Sequence, residues 1–568
     1  MKYLNKIFFI LGNRSKKLYF FVLGSIFSSF LDIIGIGLLL PLLQRLNKNN
    51  SESTTNFFEV FLFKHGIKEH EIILAYCFII LFVSIFKFIF AIFIQYNILK
   101  FSYNEHHHLL IKLFKKFIYS DYSTFFESNT ANLVQTINVE SSIFTNKALI
   151  PLLKIVSESL VIITLTSVLI IKEPFIVLMM IIMLSTIVII YDKILKNRTI
   201  GYGIDFSNSS ELILKDISQI IKGIREIKMF NKELFFINRV ITNSNKYSNA
   251  GTKYNTYIGI PRFLFELSLI LFIITLIIFL NNYTHDVNPI NKISLVALIA
   301  LRLIPSFSQI SSSINQLRFS NNTVNYLFDI LIKSDEKRII SNNLSKEFKF
   351  ESISLQNISY TYPSRTSYAI NNINFKINFG ESIGIIGESG SGKSTFANVL
   401  MGFITPNSGN IILNNLILTD TSILNQHVSY IPQDIFILDS TLLENLTFGN
   451  QNDDIDLVKL DEILNQLKLK DLVDSLPNGL YTQLGQDGLK ISGGQKQRIG
   501  IARSLYNKRQ LIIMDESTSS LDESTQSQIQ NLITSLKGIT TLIIISHRKS
   551  ILKDCDRIVE FNNATIIN

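Results

Sequence analysis

Only two cysteines occur among 568 residues, Cys77 inside an apolar stretch and Cys555 near the C-terminal end, so no disulfide framework organises this chain. Charged residues are also few, at 17%. The balance is +9, yet no run of Lys and Arg is dense enough to mark a nucleic-acid surface, and no nucleic-acid partner is expected. Basic loops facing the cytoplasm account for that charge better. Met1–Gly12 has no small-residue cleavage site, so a cleavable signal peptide is not expected. It reads instead as an amphipathic helix lying on the membrane, with Lys2, Lys6, Arg14, Lys16 and Lys17 on the cytoplasmic side.

What the chain has in excess is apolar surface. Hydrophobic residues make up 47% and mean hydropathy is +0.29, high for a soluble protein. Six long apolar segments fill the first 320 or so residues: Leu18–Leu43, Ile72–Ile98, Leu149–Ile171, Pro174–Tyr191, Phe263–Leu280 and Ile293–Ile310. Each is long enough to cross a bilayer as a helix. Several carry at most one charge, which argues against buried helices of a large soluble domain. The connection 192–261 holds eleven Lys and Arg, whereas the loops 44–71 and 281–292 are nearly balanced. The positive-inside rule then places both termini and the long connections 99–148 and 192–261 in the cytoplasm. Those connections are helical in pattern and read as the spans continuing outward, paired by short turns. The aromatic cluster Phe57–Phe63 is too short to span; it reads either as a helix on the outer membrane surface or as a loop packed on the bundle.

The composition changes near Asn342. The expected organisation is an all-α transmembrane domain with six spans over 1–330, a linker over 331–349 and an α/β domain over 350–568. Within the last, Ser382–Ile386, Leu511–Met514 and Thr541–Ile545 read as buried parallel strands. The first of them leads into Gly387, Glu388, Ser389, Gly390, Ser391, Gly392, Lys393 and Ser394, followed by a helical run from Thr395. This is the P-loop pattern G-x-x-x-x-G-K-[ST] in its required strand-to-helix setting. Backbone N–H groups of the glycine-rich turn and the helix N-terminus face phosphate oxygens, Lys393 reaches the β- and γ-phosphates, and Ser394 ligates Mg²⁺. The strand Leu511–Met514 ends in Asp515, placed to hold the same metal, and Glu516, placed as general base for the attacking water. A nucleotide and Mg²⁺ are the cofactors this pattern implies; that the nucleotide is ATP follows from the resemblance below. Ser492, Gly493, Gly494 and Gln495 open a further helix and form a second phosphate-binding element.

Ile491–Ser492–Gly493–Gly494–Gln495 strongly resembles the signature motif of the ATP-binding cassette (ABC) family, with Ile in place of the usual Leu. In that family the motif completes the ATP site of a facing cassette. The resemblance implies further roles in order along the chain. Tyr362 corresponds to the aromatic that stacks on adenine. Gln433 corresponds to the glutamine that contacts Mg²⁺ and water and senses the transport domain. Ser520–Leu521–Asp522 corresponds to the loop between paired sites, and His547 to the switch histidine at the γ-phosphate. Gly485–Gln486–Asp487–Gly488 stands where the family often has a glutamate. Six spans and one cassette resemble an exporter-type half-transporter, whose P-loop α/β nucleotide-binding domain follows a type I exporter transmembrane domain. Segments around Phe125–Thr136 and Gly223–Glu233 resemble the turns that touch the cassettes. One cassette per chain calls for a partner, most simply a C₂ homodimer in the plasma (inner) membrane.

Cargo is written more faintly. Lys87, Arg262 and Arg302 are cations within or bordering spans, and Asp32, Glu158 and Glu266 are the candidate acids to match them. Charge there is costly unless paired or functional, and arginine suits phosphate. The three cations imply a cavity for an anionic amphiphile; a snorkelling Arg262 and a Lys87 paired to another span are the plainer alternatives. Pro261–Arg262, Arg302–Leu303–Ile304–Pro305–Ser306 and the Phe-rich outer loop resemble bacterial flippases of lipid-linked oligosaccharides in protein glycosylation. That resemblance implies export of a polyprenyl-pyrophosphate-linked glycan. The alternatives are an exporter of drugs, peptides or lipid A-type lipids, or a membrane ATPase without transport, which a degenerate ATP site would mark.

Overall fold

The computed structural model describes residues 3–46, 71–120, 122, 130–172, 174–283, 289–332, 350–363, 365–450, 455–485, 491–507, 509–515, 530, 534–549 and 551–567. The chain divides into two compact units, Met1–Ser120 with Glu127–Ile339, and Asp121–Phe126 with Ile340–Asn568. Phe57–Phe63, most of the expected linker, Glu516, Ser520–Asp522 and Gln486–Gly488 lie outside the described residues.

Among the described residues, the first unit consists of helices and the turns between them. Its elements are α1 (Tyr3–Leu11), α2 (Leu18–Leu46), α3 (Ile72–Ile118), α4 (Ile150–Lys172), α5 (Pro174–Lys222), α6 (Glu233–Tyr283), α7 (Pro289–Phe319) and α8 (Asn321–Ile332). A helical run over 130–149 leads into α4 and contains two π-helical turns, Thr136–Glu140 and Phe144–Leu149. Among the described residues, six helices are long and apolar enough to cross a membrane, one for each span expected from the sequence. In lipid, only a helix or a closed barrel satisfies every backbone N–H and C=O, so these apolar runs become helices. Phe78 and Phe82 of α3 stay 71% exposed, as side chains covered by hydrocarbon rather than protein would. Helices α3, α5 and α6 have 47, 49 and 51 residues. At about 1.5 Å per residue they reach roughly 70–77 Å, more than twice a hydrocarbon core of about 30 Å. The polar connections are therefore the spans themselves, continued.

Packing at the polar ends is specific. Ile7, Ile10 and Leu11 of α1 are buried against Val324, Leu327, Phe328 and Leu331 of α8, and Lys6 Nζ donates to Asn325 Oδ1 at 2.7 Å. The N-terminal helix thus spends one apolar face on protein, leaving Leu4 and Phe8 exposed on the other. Pro261 lies inside α6 and removes the N–H that the carbonyl of Tyr257 would accept. The Tyr191 hydroxyl of α5 donates to that carbonyl instead, and Asn315 Nδ2 of α7 donates to Tyr191 at 3.0 Å. One proline is thereby converted into a brace across three helices. Farther along, α5 and α7 touch through backbone: a Cβ on Gly203 would lie 2.4 Å from the Phe319 carbonyl oxygen.

In the second unit, β1 (Ser352–Tyr360), β2 (Ile370–Asn378), β4 (Ser408–Leu413) and β5 (Leu416–Ile417) form an antiparallel sheet in the order β2-β1-β4-β5. A six-stranded sheet runs β10-β9-β3-β8-β7-β6, from β3 (Ser382–Gly387), β6 (Val428–Ile431), β7 (Leu511–Asp515), β8 (Thr541–Ile545), β9 (Arg557–Asn562) and β10 (Thr565–Ile567). All its pairings are parallel except β9–β10. Alternation decides which layer each residue joins. Ile383, Ile385, Ile513, Ile543 and Ile545 face the cluster shared with β1 and with helix α9 (Lys393–Leu400). Ile512, Met514, Leu542 and Ile544 face the cluster shared with helix α10 (Gly493–Tyr506). Both faces are covered, which is why these strands read as unbroken apolar runs. Tyr122 belongs to this unit, its ring 4.4 Å from that of Phe403.

The Gly203 approach yields a matched pair of predictions. Gly203→Val should lower the melting temperature of the detergent-solubilised protein, at a cost of about 1–3 kcal/mol. Gly201→Ala, where nothing lies within 4 Å of the added Cβ, should leave it unchanged or raise it slightly through helix propensity.

Candidate functional site

The expected nucleotide residues gather at one edge of the six-stranded sheet. Parallel pairing aligns Ile385 of β3 with Ile545 of β8 and Ile545 with Asp515 of β7, and β6 ends beside Met514. The P-loop after β3, His547 after β8, Asp515 at the end of β7 and Gln433 after β6 therefore all leave the carboxyl ends of adjacent strands. Ligands bind at that edge of open parallel sheets.

The turn from β3 to α9 tolerates little else than glycine at two positions. Gly387 has φ +151° and its Cβ would fall 2.4 Å from the Phe561 carbonyl; Gly392 has φ +107° and its Cβ would fall 2.5 Å from the Ala369 carbonyl. Lys393 is buried, and its Nζ donates to the carbonyls of Gly387 and Glu388 at 2.8 and 2.7 Å, which holds the ammonium over the mouth of the turn. Glu388, Ser389 and Gly390 form the exposed crown of the loop. Ser391 is buried and its hydroxyl has no hydrogen-bond partner. An orphaned hydroxyl inside a glycine cradle at a helix N-terminus fits a phosphate oxygen. Tyr362 belongs to the same corner, its hydroxyl 3.3 Å from that of Thr395 on α9.

For a hard cation the donors are equally suitable: the exposed hydroxyl of Ser394, the carboxylate of Asp515 and the exposed amide of Gln433 are all oxygen ligands. Mg²⁺ bound there would bridge and neutralise phosphate charge. Asp515 has a neighbour that sequence reasoning missed. The Tyr430 hydroxyl donates to Asp515 Oδ2 at 2.9 Å, and burial followed by the Asp515 charge raises the Tyr430 pKa, keeping it a donor. His547 is exposed just beyond Ser546, whose backbone N–H donates to Ile385 and whose hydroxyl accepts from the Arg548 backbone.

Ser492–Gln495 is built by other elements. Ser492 caps α10, and a capping box forms in which the Gln495 backbone N–H donates to the Ser492 hydroxyl and the Ser492 backbone N–H donates to the Gln495 side chain. Ile491, the departure from the family residue, is buried in the core. Ile499 and Ala502 pack α10 on one face of the sheet, whereas Phe396 and Val399 pack α9 on the other. The helices that open with the two expected phosphate-binding elements thus lie on opposite faces of the sheet. A positioning residue also emerges: Arg503 of α10 donates to the Asn445 side chain and backbone and to the Phe436 carbonyl, and burial lowers its pKa to about 10. These bonds tie the signature helix to the segment just after Gln433.

Lys87, Arg262 and Arg302, the cations singled out from the sequence, are each paired. Asp32 of α2, 2% exposed, holds Lys87 of α3 and Arg302 of α7, the latter at 3.2–3.3 Å through Nε and Nη2. Arg262 pairs with Glu266 one turn on, at 2.9 Å, and both side chains are largely exposed. One oxygen of Glu158 on α4 is buried with no hydrogen-bond partner. The structure thus brings Lys87 and Arg302 together around one acid and leaves Arg262 in a local pair.

Ser391→Ala should separate binding from folding. Removing a buried, unpartnered hydroxyl should leave the melting temperature unchanged or higher. Affinity for a fluorescent ATP analogue should fall about tenfold, near 1.4 kcal/mol. Gly392→Ala should abolish analogue binding.

Comparison with known proteins complements this geometry. A family profile described as ABC transporter matches residues 370–519, and one described as ABC transporter transmembrane region matches residues 18–280. A Rickettsia bellii protein with the provisional name of an export ATP-binding/permease protein is 30% identical over 371 residues, 63% of this chain and 62% of its own length. The ATP-dependent lipid A-core flippase 2 of Colwellia psychrerythraea is 26% identical over 423 residues, 72% of this chain and 70% of that protein. The lipid A-core flippase of Ralstonia nicotianae is 34% identical over 215 residues, 37% of this chain and 36% of that protein. The chain thus spans under two thirds of the length of the first of these relatives. A bacterial Atm1-family ABC exporter with ATP bound has the same fold, with TM-score 0.81 over 97% of this chain and 95% of that one, at 18% identity.

Proposed function

We propose, for a chain that belongs to the ABC transporter family, that two copies form an ATP-driven exporter that moves an anionic amphiphile across the plasma membrane. The observation that carries the dimer is the separation of α9 and α10 onto opposite faces of one sheet. A P-loop and a signature turn so separated serve different nucleotides, and a second copy related by a two-fold axis completes both. Lys393 and Ser391 hold phosphate, Ser394, Asp515 and Gln433 hold Mg²⁺, Tyr362 stacks on adenine, His547 reads the γ-phosphate, and Glu516 activates water. Both termini and the nucleotide-binding unit face the cytoplasm, following the eleven basic residues of 192–261.

The cargo reading rests on the Asp32–Lys87–Arg302 triad. Two cations share one carboxylate, so the cluster carries a net positive charge among the spans, and 31–35% of each basic side chain remains exposed. An amphiphile with a phosphate head and an apolar tail meets both that charge and the lipid alongside it. The finer reading is a polyprenyl-pyrophosphate-linked oligosaccharide flipped to the outer leaflet. The relatives named as lipid A-core flippases favour a second reading, a lipid A-type lipid, which is also phosphorylated.

Glu516→Gln should reduce ATP hydrolysis by about 10²-fold or more, the contribution of a general base. Arg262→Gln/Arg302→Gln should cut ATP-dependent translocation of a labelled polyprenyl-pyrophosphate glycan in proteoliposomes at least about tenfold. Full translocation by that variant rejects the cationic-cavity reading, and transport of lipid A in place of the glycan selects the second one.

A further inference from the structure

A second cationic feature lies away from the triad. Val188, Ile189, Lys193, Lys196, Asn197 and Arg318 line a cavity of about 710 Å³. On α5, residues 189, 193, 196 and 197 follow the i, i+4, i+7, i+8 spacing of a single helix face. Arg318 comes from α7. The apolar-to-basic change falls where the span Pro174–Tyr191 ends, so one wall is hydrocarbon-like and the other carries three cations. Ile189 is 64% exposed and Lys193 and Lys196 are exposed as well.

Two braces fix this cavity along α5 and α7. On the span side, Asn315 donates to Tyr191, which donates to the carbonyl that Pro261 leaves over. On the polar side, α5 and α7 touch at Gly203 and Phe319. Arg318 therefore sits between two points where its helix is held against α5. Lys193 and Lys196 are neighbours on one face of α5, where an anion of more than one charge meets both. Arginine supplies a bidentate fork and the lysines supply point charges, the combination suited to a phosphate or pyrophosphate.

We infer that this cavity captures the phosphate-bearing headgroup of an amphiphile in the leaflet at the polar end of the span. The phosphate lies against Lys193, Lys196 and Arg318, and the first methylenes of the tail lie along Val188 and Ile189. Its role as the place where cargo waits rests on the anionic-cargo reading above; the binding itself does not. By the positive-inside rule this leaflet is the cytoplasmic one.

Equilibrium binding of a fluorescent polyprenyl phosphate to the full-length protein in neutral detergent, without nucleotide, tests the inference. Lys193→Gln/Lys196→Gln/Arg318→Gln should weaken binding about tenfold or more. Lys193→Arg/Lys196→Arg should retain it, because charge is what the site reads; should the triple variant fail to fold, Lys193→Glu alone should show the loss. Inorganic phosphate should compete only in large excess, and the phosphate-free polyprenol should not compete. Unchanged affinity in the charge-removing variants overturns the site. Equal competition by inorganic phosphate reduces it to a free-anion site, and equal binding of polyprenol reduces it to a tail groove; either result rejects the inference. Failure of the cargo reading looks different: the Arg262/Arg302 variant then transports normally while the Lys193/Lys196/Arg318 variant still loses binding.

Discussion

Burial of the parallel strands on both faces is the constraint from which the nucleotide site follows. β3, β8 and β7 have no solvent-facing side, so α9 must cover one face and α10 the other. Chemistry is pushed to the strand ends, where turns are free to carry polar residues without disturbing the core. The P-loop, His547, Asp515 and Gln433 occupy successive strand ends for this reason. The same layering places the helix of the signature turn and the helix of the P-loop on opposite faces, the observation on which the proposed sharing of each site with a second chain rests.

The membrane imposes a different discipline. Lipid satisfies apolar side chains but no backbone group, and this shapes the exceptions to the plain helices. Pro261 would leave a bare carbonyl, and Tyr191 and Asn315 answer it by linking three helices. Asp32 would be an isolated buried charge, and Lys87 and Arg302 answer it from two other helices. Both answers place polar contacts where the helices must stay in register, and the second leaves about a third of each basic side chain exposed. The cavity at the polar end of the α5 span repeats the logic, with basic residues beginning just where the apolar run stops.

Much of this was legible in the sequence for identifiable reasons. The P-loop works through closely spaced glycines and a helix start, so its residues must be near neighbours in the chain. The three strands expected as buried and parallel read as apolar runs because both faces are covered. Span continuation was visible because the helical pattern outlasts the apolar composition. Asp32 and Glu266 stood among the candidate acids for the span cations, but which pairs form was not visible. Arg302 and Asp32 are separated by 270 residues, and Tyr430 and Asp515 by 85, and no periodicity connects them. The docking of α1 on α8 was hidden for the same reason: its apolar face suits a membrane surface as well as a protein partner. The orphaned hydroxyl of Ser391 is a property of packing, which a motif does not record.

The claim that each ATP site is shared between two copies is tested most directly by a cross-link. With Cys77 and Cys555 replaced by serine, one cysteine is introduced at Ser389 in the P-loop and one at Ser492 in the signature turn. Oxidation of the membrane-embedded protein in the presence of ATP and Mg²⁺ should give a species of twice the 64.8 kDa chain on a denaturing gel, reversible by reductant. A cross-link that forms only within the single chain, leaving its mass unchanged, would contradict the account.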